Sequence, residues 1–121
     1  MAKVMIVDDH KDIVETLKII MEKEGYETAT AFNGEDLLAK VENVNPDLIL
    51  LDVMMPGLTT KQILEKLKEK KLDRINIIMV TVVRFSEDEK KSLMKDFNIV
   101  DYITKPFDVP DLVNRVSKQL K

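Results

Sequence analysis

The chain has 121 residues, 45% of them hydrophobic, enough to bury the core of one domain without disulfides or a structural metal. It contains no cysteine, so disulfide frameworks, thiol nucleophiles and cysteine-ligated zinc or iron–sulfur sites are excluded. Its 19 basic and 22 acidic residues are interspersed. The densest basic patch, Lys68, Lys70 and Lys71, is interleaved with Glu65 and Glu69, the pattern of a solvated helix face rather than of a nucleic-acid surface.

The chain runs directly into an apolar strand pattern, Lys3 to Val7, with no secretory signal, and no apolar stretch approaches the ~20 residues of a membrane span. A soluble, cytoplasmic protein is expected. Asp8 and Asp9 close this run and His10, the single histidine, follows them. Ile13, Leu17, Ile20 and Met21 then recur at helical spacing as far as Gly25. A second strand pattern spans Glu27 to Ala31, and Asn33-Gly34 opens a helical pattern carrying Leu37, Leu38 and Val41. Asn45-Pro46 precedes a third strand, Asp47 to Leu51, which Asp52 closes, and Ile63, Leu64 and Leu67 mark the third helix. The fourth strand is read from Asn76 to Val82, with Thr81 near its end, and Ser86 can cap the next helix with Glu89 at capping-box spacing, ahead of Leu93 and Phe97. A fifth strand, Val100 to Thr104, leads into Lys105-Pro106, and Leu112, Val113, Val116 and Leu120 form the last stripe.

Strands alternating with helical stripes predict five βα units and a parallel sheet covered on both faces. Right-handed crossovers leave few strand orders, among them 2-1-3-4-5, a doubly wound, flavodoxin-like (βα)5 sandwich with residues 1–121 as one domain. In that order the chain reverses direction between the first and third strands, so Asp8 and Asp9 share the switch-point crevice with Asp52. Carboxylates crowded there raise one another's pKa unless a cation neutralises them, and an all-oxygen set suits a hard divalent ion such as Mg2+ with a phosphate completing its shell. Thr81 and Lys105 would supply a hydroxyl and an ammonium to the oxygens of a phosphoryl group. Bland readings cover each residue singly: an aspartate after a strand caps a helix, Thr81 is a β-former, and a lysine before proline is a surface charge. They explain the set poorly. His10 is read as a loop or helix-start residue, because Mg2+ prefers oxygen.

Asp8-Asp9, the segment Asp52-Val53-Met54-Met55-Pro56-Gly57, Thr81 and Tyr102-Ile103-Thr104-Lys105-Pro106-Phe107 resemble the signature of response-regulator receiver domains (CheY-like), the phospho-acceptor modules of two-component signalling, at matching spacing over the whole chain. The resemblance implies a magnesium-dependent phosphoprotein in which Asp52 becomes a 4-aspartylphosphate. Asp8, Asp9, Asp52 and the backbone carbonyl of Met54 would bind Mg2+, and Lys105 would pair with the phosphoryl group. Thr81 and Tyr102 would be the switch pair that reshapes the surface of the fourth helix, fifth strand and fifth helix. Pro106 would follow a cis peptide bond. The implied partners are a sensor histidine kinase or phosphotransfer protein, or a small phosphodonor, and a downstream protein target. The chain would catalyse its own phosphorylation and dephosphorylation rather than act as a conventional enzyme. It would be a monomer, or a dimer once phosphorylated. Unless the chain is a segment of a longer regulator, output is expected through protein contacts, without direct contact to nucleic acid or membrane.

The chain departs from the family pattern at Val82 and in the loop Leu58-Thr59-Thr60, where many relatives carry an Asp-Gly pair. Val82 stands where a small residue is usual, and its stiff, bulkier side chain bears on entry of the phosphodonor or on the extent of loop movement, while Met54 and Val83, each two residues beyond a key site, are apolar where the resemblance implies that the hydrolytic water passes. The expectation is a long-lived phosphoryl group. Val82 also keeps open an interaction module that works without phosphorylation. A metal-dependent phosphohydrolase would use similar chemistry, but no second acid stands two residues after Asp52.

Overall fold

Runs such as Met5-Ile6-Val7 and Leu48-Ile49-Leu50-Leu51 have no polar residue to turn toward water, so their strands need a covering layer on each face. The computed structural model, which describes residues 2–120, supplies both layers. In chain order the elements are β1 (Lys3–Val7), α1 (Lys11–Lys23), β2 (Glu27–Ala31), α2 (Gly34–Val44), β3 (Leu48–Leu51), α3 (Thr60–Glu69), β4 (Asn76–Thr81), α4 (Glu87–Asp96), β5 (Ile99–Thr104) and α5 (Val109–Leu120). The five strands are parallel and ordered β2-β1-β3-β4-β5. This is the doubly wound, flavodoxin-like arrangement read from the sequence.

Alternation along the central strands splits the core in two. Met5, Val7, Ile49, Leu51 and Met79 face one side and meet Leu37, Val41, Ile63, Leu64 and Leu67 of α2 and α3. Val4, Ile6, Leu48, Leu50, Ile78 and Val80 face the other and meet Val14, Leu17 and Met21 of α1 and Leu112 and Val116 of α5. The helical stripe of α4 is the exception to the expected packing. Leu93 is only partly buried and Phe97 lies at the C-cap, so no residue of α4 is fully covered.

Local signals hold the ends. Asn33 caps α2 by accepting from the Asp36 amide at 2.7 Å, and Ser86 and Glu89 form the expected capping box. Gly25, at φ +89°, turns the chain out of α1. Three strand boundaries shift by one residue. β3 begins at Leu48 rather than Asp47, whose carboxylate instead accepts from the Lys3 backbone N–H. β4 ends at Thr81, because Val82 turns outward and is 58% exposed, and β5 begins at Ile99, whose side chain is buried.

Candidate functional site

Asp8, Asp52 and Lys105 each lie one step past a strand and Thr81 ends β4, and the sheet ladder extends far enough to pin their backbones. Val7 of β1 is in register with Leu51 of β3, so Asp8 and Asp52 emerge at the same level. The Asp8 amide donates to Ala31 beyond β1, and the Asp52 amide donates to the Val7 carbonyl at 3.0 Å. Lys105 follows β5 and donates its amide to the Thr81 carbonyl at 2.8 Å. The Lys105–Pro106 bond is cis.

Side chains converge from these fixed points. Asp8 and Asp52 are only 2% and 3% exposed. The Lys105 ammonium lies 2.5 Å from Asp8 Oδ2 and 3.5 Å from Asp52 Oδ2, spanning 97 residues of sequence to bridge them. Asp52 Oδ1 accepts from the Met54 amide at 3.1 Å, which folds the loop after β3 back over the acid. Burial alone would push the Asp8 carboxyl up. The Lys105 ammonium, with the His10 amide and ring, outweighs that and brings it below the ordinary carboxylate value.

His10 occupies the N-cap of α1, as a helix-start residue should, yet its ring does no capping. Its amide donates to Asp8 Oδ1 at 2.9 Å, and its Nδ1 lies 3.1 Å from both Asp8 Oδ1 and Asp9 Oδ1. The hydrogen bond to Asp8 and the charges of Asp9 and Asp8 raise its imidazole above the usual histidine value. Asp9 Oδ1 remains a buried acceptor without an aligned hydrogen-bond partner among the described residues. Asp8, Asp9, His10 and Asp52 each present a ligand atom within 4.8 Å of the others. Three carboxylates, two of them buried, around a single lysine and the exposed His10 ring leave this pocket short of positive charge, which fits a divalent cation with oxygen ligands.

Among the described residues neither the Thr81 nor the Tyr102 hydroxyl is hydrogen-bonded to the acids. Thr81 is 2% exposed, and its hydroxyl accepts from the Val83 amide at 3.2 Å in its own loop. The Tyr102 hydroxyl is buried without a partner among the described residues, and burial pushes its phenol up. Its ring packs against Phe85 at 5.4 Å between centroids, with the Lys90 ammonium 5.6 Å from the ring centre. Thr81 and Tyr102 border the same cavity of about 380 Å3, together with Phe85 and Lys90. Phe85 escaped the sequence reading, since one aromatic in a loop carries no periodic signal. Thr59 escaped too, although Thr59 and Gln62 have the spacing of the capping box they form at α3.

An open parallel sheet that gathers acids, an amine and an alcohol along its carboxyl edge defines a doubly wound module with a charged crevice at its switch point. The sequence profile of the response regulator receiver domain matches residues 4–117, and the chain belongs to that family of two-component signalling domains. It is 38% identical over 119 residues to the alkaline phosphatase synthesis transcriptional regulatory protein PhoP of Bacillus subtilis, a match that covers 98% of this chain and 48% of that protein. The chain thus spans about half the length of this curated relative. Among solved structures it is similar to response regulator TrrA of Thermotoga maritima in complex with Mg2+ and BeF, at 34% identity and a TM-score of 0.82 over 98% of this chain and 99% of that one. It also resembles the chemotaxis protein CheY4 of Vibrio cholerae, at 28% identity and a TM-score of 0.86 over 98% of each chain. A CheY-like receiver domain protein of Methanospirillum hungatei gives 31% identity and a TM-score of 0.86 over 99% of this chain and 94% of that one.

Proposed function

We infer that this chain is a phospho-acceptor switch whose acceptor is Asp52. The observation that carries the reading is the Lys105 ammonium held between Asp8 and Asp52 at the crevice beyond the ends of β1 and β3. An Asp52 carboxylate oxygen attacks the phosphorus of a phosphohistidine on a sensor kinase or phosphotransfer protein. The new P–O bond forms as the P–N bond breaks, and the bonding pair leaves with the donor imidazole, which takes up a proton. With acetyl phosphate the leaving group is acetate. Lys105 offsets the charge that gathers on the phosphoryl oxygens.

Asp8, Asp9, Asp52 and the Met54 carbonyl would hold Mg2+. When bound, that ion neutralises the acids and the transferring group. The Met54 amide already orients Asp52 Oδ1. Thr81 would exchange its hydrogen bond to Val83 for one to a phosphoryl oxygen, and Tyr102, whose hydroxyl is unpaired, would move with it. Turning the switch from mostly off to mostly on needs roughly 5 kcal/mol of differential interaction, within reach of a few charge-assisted hydrogen bonds. The surface so changed is that of α4, β5 and α5, offered to a downstream protein.

Incubation with acetyl phosphate and Mg2+, read by intact mass, tests this. The wild-type chain is expected to gain one phosphate and Asp52→Asn none. Undiminished labelling of the variant, or no labelling of either chain, overturns the assignment.

A further inference from the structure

We propose that His10 is a nitrogen ligand of the cation pocket, so that this chain takes a borderline divalent metal such as Zn2+ in competition with Mg2+. The proposal deepens the reading above and rests on the acid pocket being a cation site.

Spacing is the first support. Nδ1 of His10 is 3.1 Å from Asp8 Oδ1 and 3.1 Å from Asp9 Oδ1. Ligands in neighbouring positions around such an ion lie about 3 Å apart, since each sits about 2.1 Å from the metal at near a right angle or somewhat wider. The imidazole nitrogen and the two carboxylate oxygens are therefore already spaced as adjacent members of one shell. Asp52 contributes an oxygen within the same 4.8 Å cluster.

Local structure explains why the ring is there. A residue at an N-cap ordinarily turns its side chain to the free amides of the first turn, and His10 makes no such bond. Its own amide is instead tied to Asp8 Oδ1 at 2.9 Å, which holds the start of its side chain against the pocket. Asp8 divides its oxygens between two neighbours: Oδ2 faces Lys105 and Oδ1 faces His10. The lysine and the imidazole thus act on opposite sides of one carboxylate and do not compete for the same atom. Asp9 Oδ1 is the second support, as a buried acceptor near the ring that lacks an aligned hydrogen bond. A carboxylate oxygen withdrawn from water, whose near neighbour is the ring nitrogen at 3.1 Å, is placed to share an ion with that nitrogen. At 65% exposure, the His10 ring also sits at the rim, where an ion would enter from solvent.

Chemistry then sets the preference. Three carboxylates alone suit Mg2+, which dehydrates reluctantly and favours oxygen, whereas an added imidazole favours Zn2+ and its neighbours.

The test uses the whole chain labelled with 15N-histidine. Because the sequence holds a single histidine, every ring signal belongs to His10. Zn2+ is expected to shift the Nδ1 resonance to a metal-bound position at one equivalent, whereas Mg2+ leaves it unbound. By calorimetry, His10→Ala should lower the ratio of Zn2+ to Mg2+ affinity about tenfold or more, at least what loss of a group supporting a ligand costs. Zn2+ binding with Nδ1 unmoved, or an unchanged ratio in His10→Ala, overturns the proposal and leaves the Mg2+ reading intact. If neither ion binds, and Asp9→Asn behaves like the wild type, the cation site itself is wrong.

Discussion

α3 and α4 are both ten residues long and both begin with a capping box, Thr59 with Gln62 and Ser86 with Glu89. Their packing is opposite. α3 buries Ile63, Leu64 and Leu67, and Gly34 of α2 lets Ile63 come so close that a Cβ there would stand 2.7 Å from its Cδ1. α4 buries nothing fully and leans on the sheet through a half-covered Leu93. The pair shows that a good start signal makes a helix without fixing it, because helix stability in a protein comes mainly from the packed face. An element with little buried apolar area opens at lower free energy than the core. In this chain that element adjoins the loop running from Thr81 to Phe85, which is where the proposed switch needs freedom.

Core truncations should expose the contrast most strongly. Leu64→Ala is expected to cost about 2–5 kcal/mol in urea unfolding, as buried leucine truncations do. Leu93→Ala should cost only about 1 kcal/mol, in keeping with its partial burial. Amide exchange in the wild type should likewise be faster through α4 than through α3. Equal losses at the two leucines, with equal exchange, would break the comparison.

Between the two helices lies a groove of about 610 Å3, bordered by Met54 and Gly57 on the α3 side and by Val83, Phe85 and Leu93 on the α4 side. Met54 and Val83 put apolar side chains where the family resemblance sends the hydrolytic water. Polar replacements at both positions are expected to speed loss of phosphate from Asp52 about tenfold, short of the ~100-fold that a true acid or base adds. Following the phosphorylated mass with time measures this, and an unchanged lifetime would show that the groove does not control water.

The layered sheet was legible because its signals are redundant: period-two and period-3.6 patterns, glycine and asparagine punctuation and strand-end aspartates all agree. The convergence of Asp8, Asp52 and Lys105 was legible for the same reason, since the parallel register carries strand-end residues to one edge. Depth was not legible. Leu93 and Phe97 have the same spacing as residues of a buried stripe, and only the fold shows that α4 ends before Phe97 and stays half covered. The His10 contact was hidden too, because an N-cap histidine has several rotamers open to it and sequence does not choose among them.

The capping boxes differ in the charge of the residue that closes them, which gives the smallest and most local test. α3 closes its box with the neutral Gln62, whereas α4 uses Glu89, whose carboxylate accepts from the Ser86 amide at 2.9 Å. Hydrogen bonds from the Ser86 backbone and side chain hold the Glu89 pKa below its ordinary 4.5. A carboxyl with a lowered folded pKa binds its proton more readily when the cap is open, so its contribution is complete above about pH 4.5 and is lost as the pH falls through the folded value. Gln62 has no such dependence. Helical carbon shifts should therefore decline with acid at residues 87–90 before those at residues 60–63, and Glu89→Gln should remove the difference. A parallel decline in both first turns would mean that acid acts through the buried aspartates and the sheet edge, with the caps following passively.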